Sequence, residues 1–128
     1  MNNGLIQTIH ATLKNAVSAT TNQVYFIYVP DRLNILKRTT LVFTLNNTGN
    51  ENTLDFKESN KIYGLTAQVN VPEKHLSDLQ QLSIYIRTAL YRLERSAPDI
   101  NYVSLLSDDL QFDEELEVYV YTLSFQIN

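Results

Sequence analysis

Residues 61–95 read KIYGLTAQVNVPEKHLSDLQQLSIYIRTALYRLER, and the spacing of the apolar residues changes halfway along. In residues 61–71 they alternate with polar residues, as expected of a strand with one buried face. From Ser77 to about Arg95 they recur every three or four residues, which predicts an amphipathic helix opened by a capping box of Ser77 and Gln80. Pro72 separates the two elements because proline cannot donate to a strand ladder. The residues predicted to be buried are Tyr63, Leu65, Ala67, Val69 and Val71 on the strand and Leu79, Leu82, Ile86, Leu90 and Leu93 on the helix.

The rest of the chain repeats both patterns. Helical spacing predicts a first helix over residues 4–20, and β-branched and aromatic residues predict strands at 24–29, 40–45, 100–106 and 116–127. Three polar segments are predicted to be connections: residues 31–38, an exposed, mobile loop at 46–53, and an acidic loop at 107–115. Residues 54–56 form a candidate short strand.

Neighbouring strands therefore follow one another along the chain, in the order α-β-β-(β)-β-α-β-β. This order favours the α+β class over a regularly alternating βαβ sheet. We expect two helices packed on a mainly antiparallel sheet of four to six strands. Because the chain has 128 residues, it is expected to form a single domain over residues 1–128.

Composition excludes several classes of function. The chain has no cysteine, which removes disulfides, thiolate metal sites and a cysteine nucleophile. Its apolar runs are far shorter than the roughly 20 residues that a spanning helix needs, so no membrane segment or signal peptide is expected. A net charge of −4 disfavours sequence-specific DNA binding, which is usually carried by a basic domain.

We find no set of residues that could perform catalysis. His10 and His75 have no further ligand at metal-binding spacing, and no nucleophile elbow, phosphate loop or dinucleotide-binding motif is present. Arg87, Arg92 and Arg95 on the second predicted helix are interpreted as structural, because cations suit the last turns of a helix. The chain is therefore predicted not to be an enzyme, with no catalytic, cofactor-binding or metal site.

The candidate functional residues are instead those of an interface. Eight tyrosines are present, and Tyr119 and Tyr121 share one face of the last predicted strand, a pattern that an interface and a half-buried sheet explain about equally well. Six of the fourteen acidic residues fall within residues 108–117, which predicts a solvated acidic loop or an electrostatic docking surface. The candidate interface residues are Tyr119, Tyr121, Asn46, Asn47, Asn50, Asn52, Asp108, Asp109, Glu114 and Glu117.

The chain resembles the tail-terminator, or tail-completion, family of long-tailed bacteriophages over nearly its whole length. The resemblance is one of size, element order and weak patterning. Its elements are an amphipathic N-terminal helix, a first strand ending in Val29-Pro30, a second strand at 41–45, a variable polar loop, the strand 62–71, the helix from Ser77 to about Arg95, and a long closing strand ending in Ser124-Phe125-Gln126.

This resemblance implies a structural virion protein. Its subunits would form a homo-oligomeric ring, expected to be a hexamer, that caps the head-proximal end of the tail tube, ends tube growth and docks to head-closure or neck proteins. DNA would pass through the lumen without being read. The protein would lie in the tail or neck of the virion after assembly in the host cytoplasm, and the loop 46–53 would order on contact with its neighbours.

By the same resemblance, residues 31–38 and 107–115 would lie on the ring faces or at the lumen, and Glu117 would protect the last strand from premature pairing. Two alternatives stay open. One is a head-closure or adaptor neck protein, which would differ in its binding partner. The other is a small non-viral α+β domain that binds a ligand between helix and sheet.

Overall fold

The computed structural model describes residues 3–21, 23–27, 29, 38–52, 58–97, 100 and 102–128. Within them, two α-helices and one 3₁₀ helix accompany a five-stranded, mainly antiparallel sheet, which confirms the predicted α+β class. In chain order the elements are α1 (Asn3–Ala16), β1 (Val24–Phe26), β2 (Thr40–Asn52), β3 (Glu58–Pro72), the 3₁₀ helix Glu73–Asp78, α2 (Leu79–Ser96), β4 (Val103–Asp113) and β5 (Val118–Ile127).

The strands lie in the order β1-β2-β3-β5-β4. The short strand β1 runs parallel to β2, and the other three pairs are antiparallel. Val69 of β3 lies opposite Leu41 of β2 and Tyr121 of β5, so the central strands share one apolar face. Strands β1 and β4 form the two edges of the sheet.

Both helices cover that apolar face. The predicted buried residues of β3 and α2 are all in the core, which confirms the spacing argument. Helix α1 lies over the β1 and β2 side, where the His10 ring sits 6.0 Å from the Phe43 ring, and α2 lies over β5, where Tyr91 meets Phe125 edge-on. On the opposite face of the sheet, the central strands β2, β3 and β5 carry uncharged, partly exposed side chains, among them Thr44, Thr66, Gln68, Thr122 and Ser124.

Several element ends differ from the sequence predictions. Helix α1 ends at Ala16 rather than at residue 20, because the amides of Thr20 and Thr21 bond to the Val17 carbonyl in a turn. Strand β1 ends at Phe26 because Ile27 has a φ of 76°, which no extended strand accommodates. The capping box also does not form. Ser77 lies within the 3₁₀ helix, and an N-cap residue needs non-helical backbone angles.

The predicted mobile loop at 46–53 is wrong for residues 46–52. Strand β2 continues to Asn52 and pairs with β3 as far as Glu58, with register shifts after Asn47 and after Glu51. Pairing through backbone amides and carbonyls needs no apolar side chain, so the polar composition did not prevent strand formation. Residues 31–37 and 53–57, which include the candidate short strand, lie outside the described residues.

The predicted acidic loop at 107–115 is also wrong. Strand β4 runs to Asp113 and pairs with β5 over its whole length, and only residues 114–117 form the turn between them. The first residues of both strands also differ from the prediction: β4 begins at Val103 rather than at 100, and β5 begins at Val118 rather than at 116. Exposed carboxylates are compatible with an edge strand, where they discourage pairing with other chains.

Candidate interaction surface

The ten residues proposed as an interface divide between the two long hairpins. Asn46, Asn47, Asn50 and Asn52 lie on β2. Asn46 and Asn47 are opposite the last β3 residues that pair with β5, and Asn50 and Asn52 are in the part of the β2–β3 hairpin that extends past the end of β5. The other six lie on the β4–β5 hairpin, whose turn is at the opposite end of the sheet, next to Pro72. The structure therefore separates the asparagines from the tyrosines and the acidic residues.

A β-bulge decides which side chains of β4 face the helix side of the sheet. Leu105 lies opposite Phe125, but the next pair is Ser107 with Ser124, so Leu106 is an extra residue. Beyond the bulge the even-numbered residues of β4 take the helix side. Leu110 and Phe112 therefore share a face with Tyr121 and Tyr119, while Asp109, Gln111 and Asp113 take the opposite face.

Leu110 and Phe112 remain exposed on that face, with 48% and 43% of their surface accessible. The Phe112 ring lies 4.9 Å from the Tyr119 ring, and Leu110 lies directly opposite Tyr121. An open groove of about 460 Å³ continues the apolar surface from Tyr121 to the exposed side chains of Leu76 and Ile84. We call this surface the hairpin patch: Leu76, Ile84, Leu110, Phe112, Tyr119 and Tyr121.

A polar network borders the hairpin patch. The Tyr121 hydroxyl donates to Asp108 Oδ2 at 2.5 Å, and Arg87 Nη2 lies 2.9 Å from the same oxygen and 3.0 Å from the Tyr121 hydroxyl. The Tyr121 hydrogen bond and the Arg87 charge hold the pKa of Asp108 below its usual range. Arg87 Nε is buried and has no acceptor among the residues that the structure describes. This network fixes the Tyr121 ring at the mouth of the groove.

The remaining acidic residues lie at and beyond the patch. Asp109, Glu114, Glu115 and Glu117 are exposed. The carboxylate of Asp113 accepts the backbone amides of Glu115 and Leu116, at 3.0 and 3.2 Å, and so shapes the turn. Within the described part of the chain, no three acidic or histidine side chains are arranged so that they could hold a metal ion.

Sequence reasoning found Tyr119 and Tyr121 but missed their neighbours in the patch. Leu110 and Phe112 fall within the predicted acidic loop 107–115, although they are two residues apart, the spacing of one strand face. That spacing was the available signal. Leu76 and Ile84 gave no such signal, since exposed apolar residues are common on helices.

Among known proteins, a similar fold is found in solved structures. No protein-family model and no curated protein matches the sequence. A chain in a solved structure described as the virion of a native gene transfer agent (GTA) particle has a similar fold, with a TM-score of 0.60 and 15% sequence identity. The similarity covers 91% of this chain and 83% of that one.

No helix in the described ranges is long and apolar enough to cross a lipid bilayer.

Proposed function

We propose that this chain is a structural subunit of a phage-like virion, and that it acts as a tail terminator. In that role its copies form a ring, expected to be a hexamer, that caps the head-proximal end of the tail tube, ends tube growth and joins the tail to a head-closure or neck protein. The fold similarity to a chain of the GTA virion carries this proposal, because it extends over most of both chains.

The surfaces of the chain suit a protein that works by contact. The hairpin patch exposes apolar area next to the β4 edge, while the β2–β3 hairpin extends past β5 and offers a backbone surface at the other end of the sheet. Subunits of a ring need such separate contact surfaces for neighbours and for axial partners. The β2–β3 hairpin, with Asn46, Asn47, Asn50 and Asn52, is our candidate for the axial contact with tube or neck.

The charge of the chain fits the passage of DNA. Each phosphate that a basic side chain neutralises releases counterions and strengthens binding. A chain with 10 basic and 14 acidic residues provides little of this retention, so DNA would move through the lumen without being held or read. The subunit would assemble in the host cytoplasm and remain in the tail or neck of the virion.

An early stop codon in the gene tests the proposal, with negative-stain microscopy of the particles that the genome then produces. We expect tails of uncontrolled length that are not attached to DNA-filled heads. Tails of normal length beside leaking or unjoined heads would replace the terminator assignment by a head-closure one. Unaltered virions would overturn the virion role and favour the ligand-binding alternative.

A further inference from the structure

The hairpin patch has the composition of a protein-binding surface. Its four most exposed members, Leu76, Ile84, Leu110 and Phe112, each have 39% or more of their surface accessible. They adjoin the half-buried Tyr119 and Tyr121, and a contiguous exposed apolar patch of this kind usually marks an interaction site. Aromatic residues with an exposed polar rim are the usual centre of such sites.

The distribution of charge indicates what would cover this patch. All ten basic residues lie in residues 1–95, together with seven acidic ones, which gives that part a charge of +3. Residues 96–128 hold the other seven acidic residues and no basic one, which gives −7. The β4–β5 hairpin is therefore an apolar surface with an acidic border, and its complement is an apolar or neutral surface with basic residues.

The basic part of such a complement lies on the α1 and β2 side of this chain, beside a mainly uncharged polar cleft. Exposed Arg38 lines an open cleft of about 530 Å³ at the end of α1, together with His75 and hydroxyl side chains including Thr20, with Asp78 as a carboxylate at the same cleft. Exposed Lys14 lies one turn earlier on α1.

We propose that the hairpin patch binds a second copy of this chain, on the basic flank formed by Lys14 and Arg38. The contact is head-to-tail: the β4 side of one copy meets the α1 and β2 side of the next, and the exposed Glu114 and Glu115 face Arg38. This inference rests on the ring in the proposed function and specifies which surfaces close it.

The geometry of a closed ring favours this flank over the other exposed basic residues, Lys74, Arg92 and Arg95. Lys74 lines a cleft with Leu116 and Glu117 of the turn between β4 and β5, so it lies beside the hairpin patch. Arg92 and Arg95 are also exposed, but they lie on the part of α2 that is tied to β4, where Glu94 accepts the Val103 amide. They are thus on the same flank as the hairpin patch. A closed ring needs two different surfaces on each subunit, and Lys14 and Arg38 lie toward the opposite edge of the sheet.

The first test substitutes the centre of the patch and measures molar mass by light scattering after size exclusion. In Phe112→Asp we expect monomers at concentrations at which the unchanged protein forms rings, with an unchanged circular dichroism spectrum. Tyr102→Asp is the matched control, since Tyr102 is an aromatic residue of similar exposure outside the patch and should leave the rings intact. If Phe112→Asp forms rings of normal mass, the patch is not the contact between copies, although the ring itself is retained.

The second test reverses charges on the two flanks. Arg38→Glu alone, and Glu114→Lys with Glu115→Lys, are each expected to weaken association by at least about tenfold, because like charges then face each other. All three changes in one chain should restore it. If both charge reversals weaken association and the combined variant does not restore it, these side chains do not face each other and the assigned flank is wrong.

One further outcome separates this inference from the proposed function. If the unchanged protein stays monomeric at every concentration while the stop-codon tails still have uncontrolled length, the patch binds the tube protein or another virion protein. The self-contact is then overturned and the terminator role stands. If the stop codon leaves the virions unaltered, the proposed function is wrong instead.

Discussion

Two halves of one sheet face carry similar side chains but differ in burial: one half is covered by the helices and the other is bare. In the covered half, Phe43 and Phe125 are buried beneath α1 and α2. In the bare half, Phe112 and Leu110 lie on the same side of the same sheet and remain more than two fifths exposed. Apolar character alone therefore does not decide burial. Burial is decided by how much of the sheet face the two helices cover, and the bare half is left available for another molecule.

The strongest test of this comparison is a pair of phenylalanine truncations. Phe43 is fully buried and stacks on Phe26 with ring centres 5.1 Å apart, so Phe43→Ala should lower the free energy of unfolding by about 3–5 kcal/mol. Phe112→Ala should lower it by less than about 1 kcal/mol, because the ring is already half in water. Urea denaturation measures both under conditions in which the protein is monomeric. Equal losses would mean that the bare half is in fact part of the core.

Helix α2 allows the same comparison on its two faces. Leu82 is buried beneath the helix, and Leu82→Ala should cost about 2–5 kcal/mol. Ile84 is 54% exposed in the hairpin patch, so Ile84→Ala should change stability by no more than about 0.5 kcal/mol. Thermal unfolding followed by circular dichroism distinguishes them. A large loss for Ile84→Ala would contradict the assignment of this face to a partner.

A smaller effect is expected where α2 is tied to β4 in the covered half. Glu94 Oε1 accepts the Val103 amide at 2.7 Å. Glu94→Ala should cost about 1 kcal/mol in a denaturant titration, since it leaves that amide without its acceptor, and Glu94→Gln should cost less because it keeps an oxygen there. Arg92→Ala, on an exposed neighbouring position, is the control. If the Glu94→Gln and Glu94→Ala losses are equal, the carboxylate charge rather than the hydrogen bond matters.

The smallest expected effect is at the border of the two halves, where Arg87 and Tyr121 hold the Asp108 carboxylate. Because its folded pKa is lowered, this group contributes stability that is present above the unfolded pKa and is lost as pH falls through the folded pKa. In an NMR titration, the Asp108 carboxyl should titrate below its usual range, and in Tyr121→Phe its pKa should rise toward that range. The contribution to stability should be small, since the pair is solvent-exposed. An unchanged pKa in Tyr121→Phe would refute the role of the hydroxyl.

Much of the fold was predictable because side-chain spacing is a local property. The alternation in residues 61–71 and the helical spacing after Ser77 identified ten core residues, all of which are buried. The two loop predictions failed for a different reason. Residues 46–52 and 107–113 have polar or acidic sequences, yet they form strands because a partner strand runs alongside and satisfies their backbone groups.

The candidate site was predictable only in part. Tyr119 and Tyr121 were identified by their number and spacing, and the structure places both in the hairpin patch. Leu110 and Phe112 were missed because the acidic residues around them were interpreted as a loop. Even a strand assignment would have left their facing open, since the bulge at Leu106 reverses the alternation within β4.

Residue spacing and composition were enough to predict the class of the fold, the residues of β3 and α2 that face the core, and the concentration of acidic charge after Arg95. How far the strands extend, which face of the sheet Phe112 occupies, and which apolar residues stay exposed became evident from the folded chain. The reason is physical. Spacing and charge are properties of neighbouring residues, whereas strand pairing, bulge register and helix coverage depend on segments that meet only when the chain has folded.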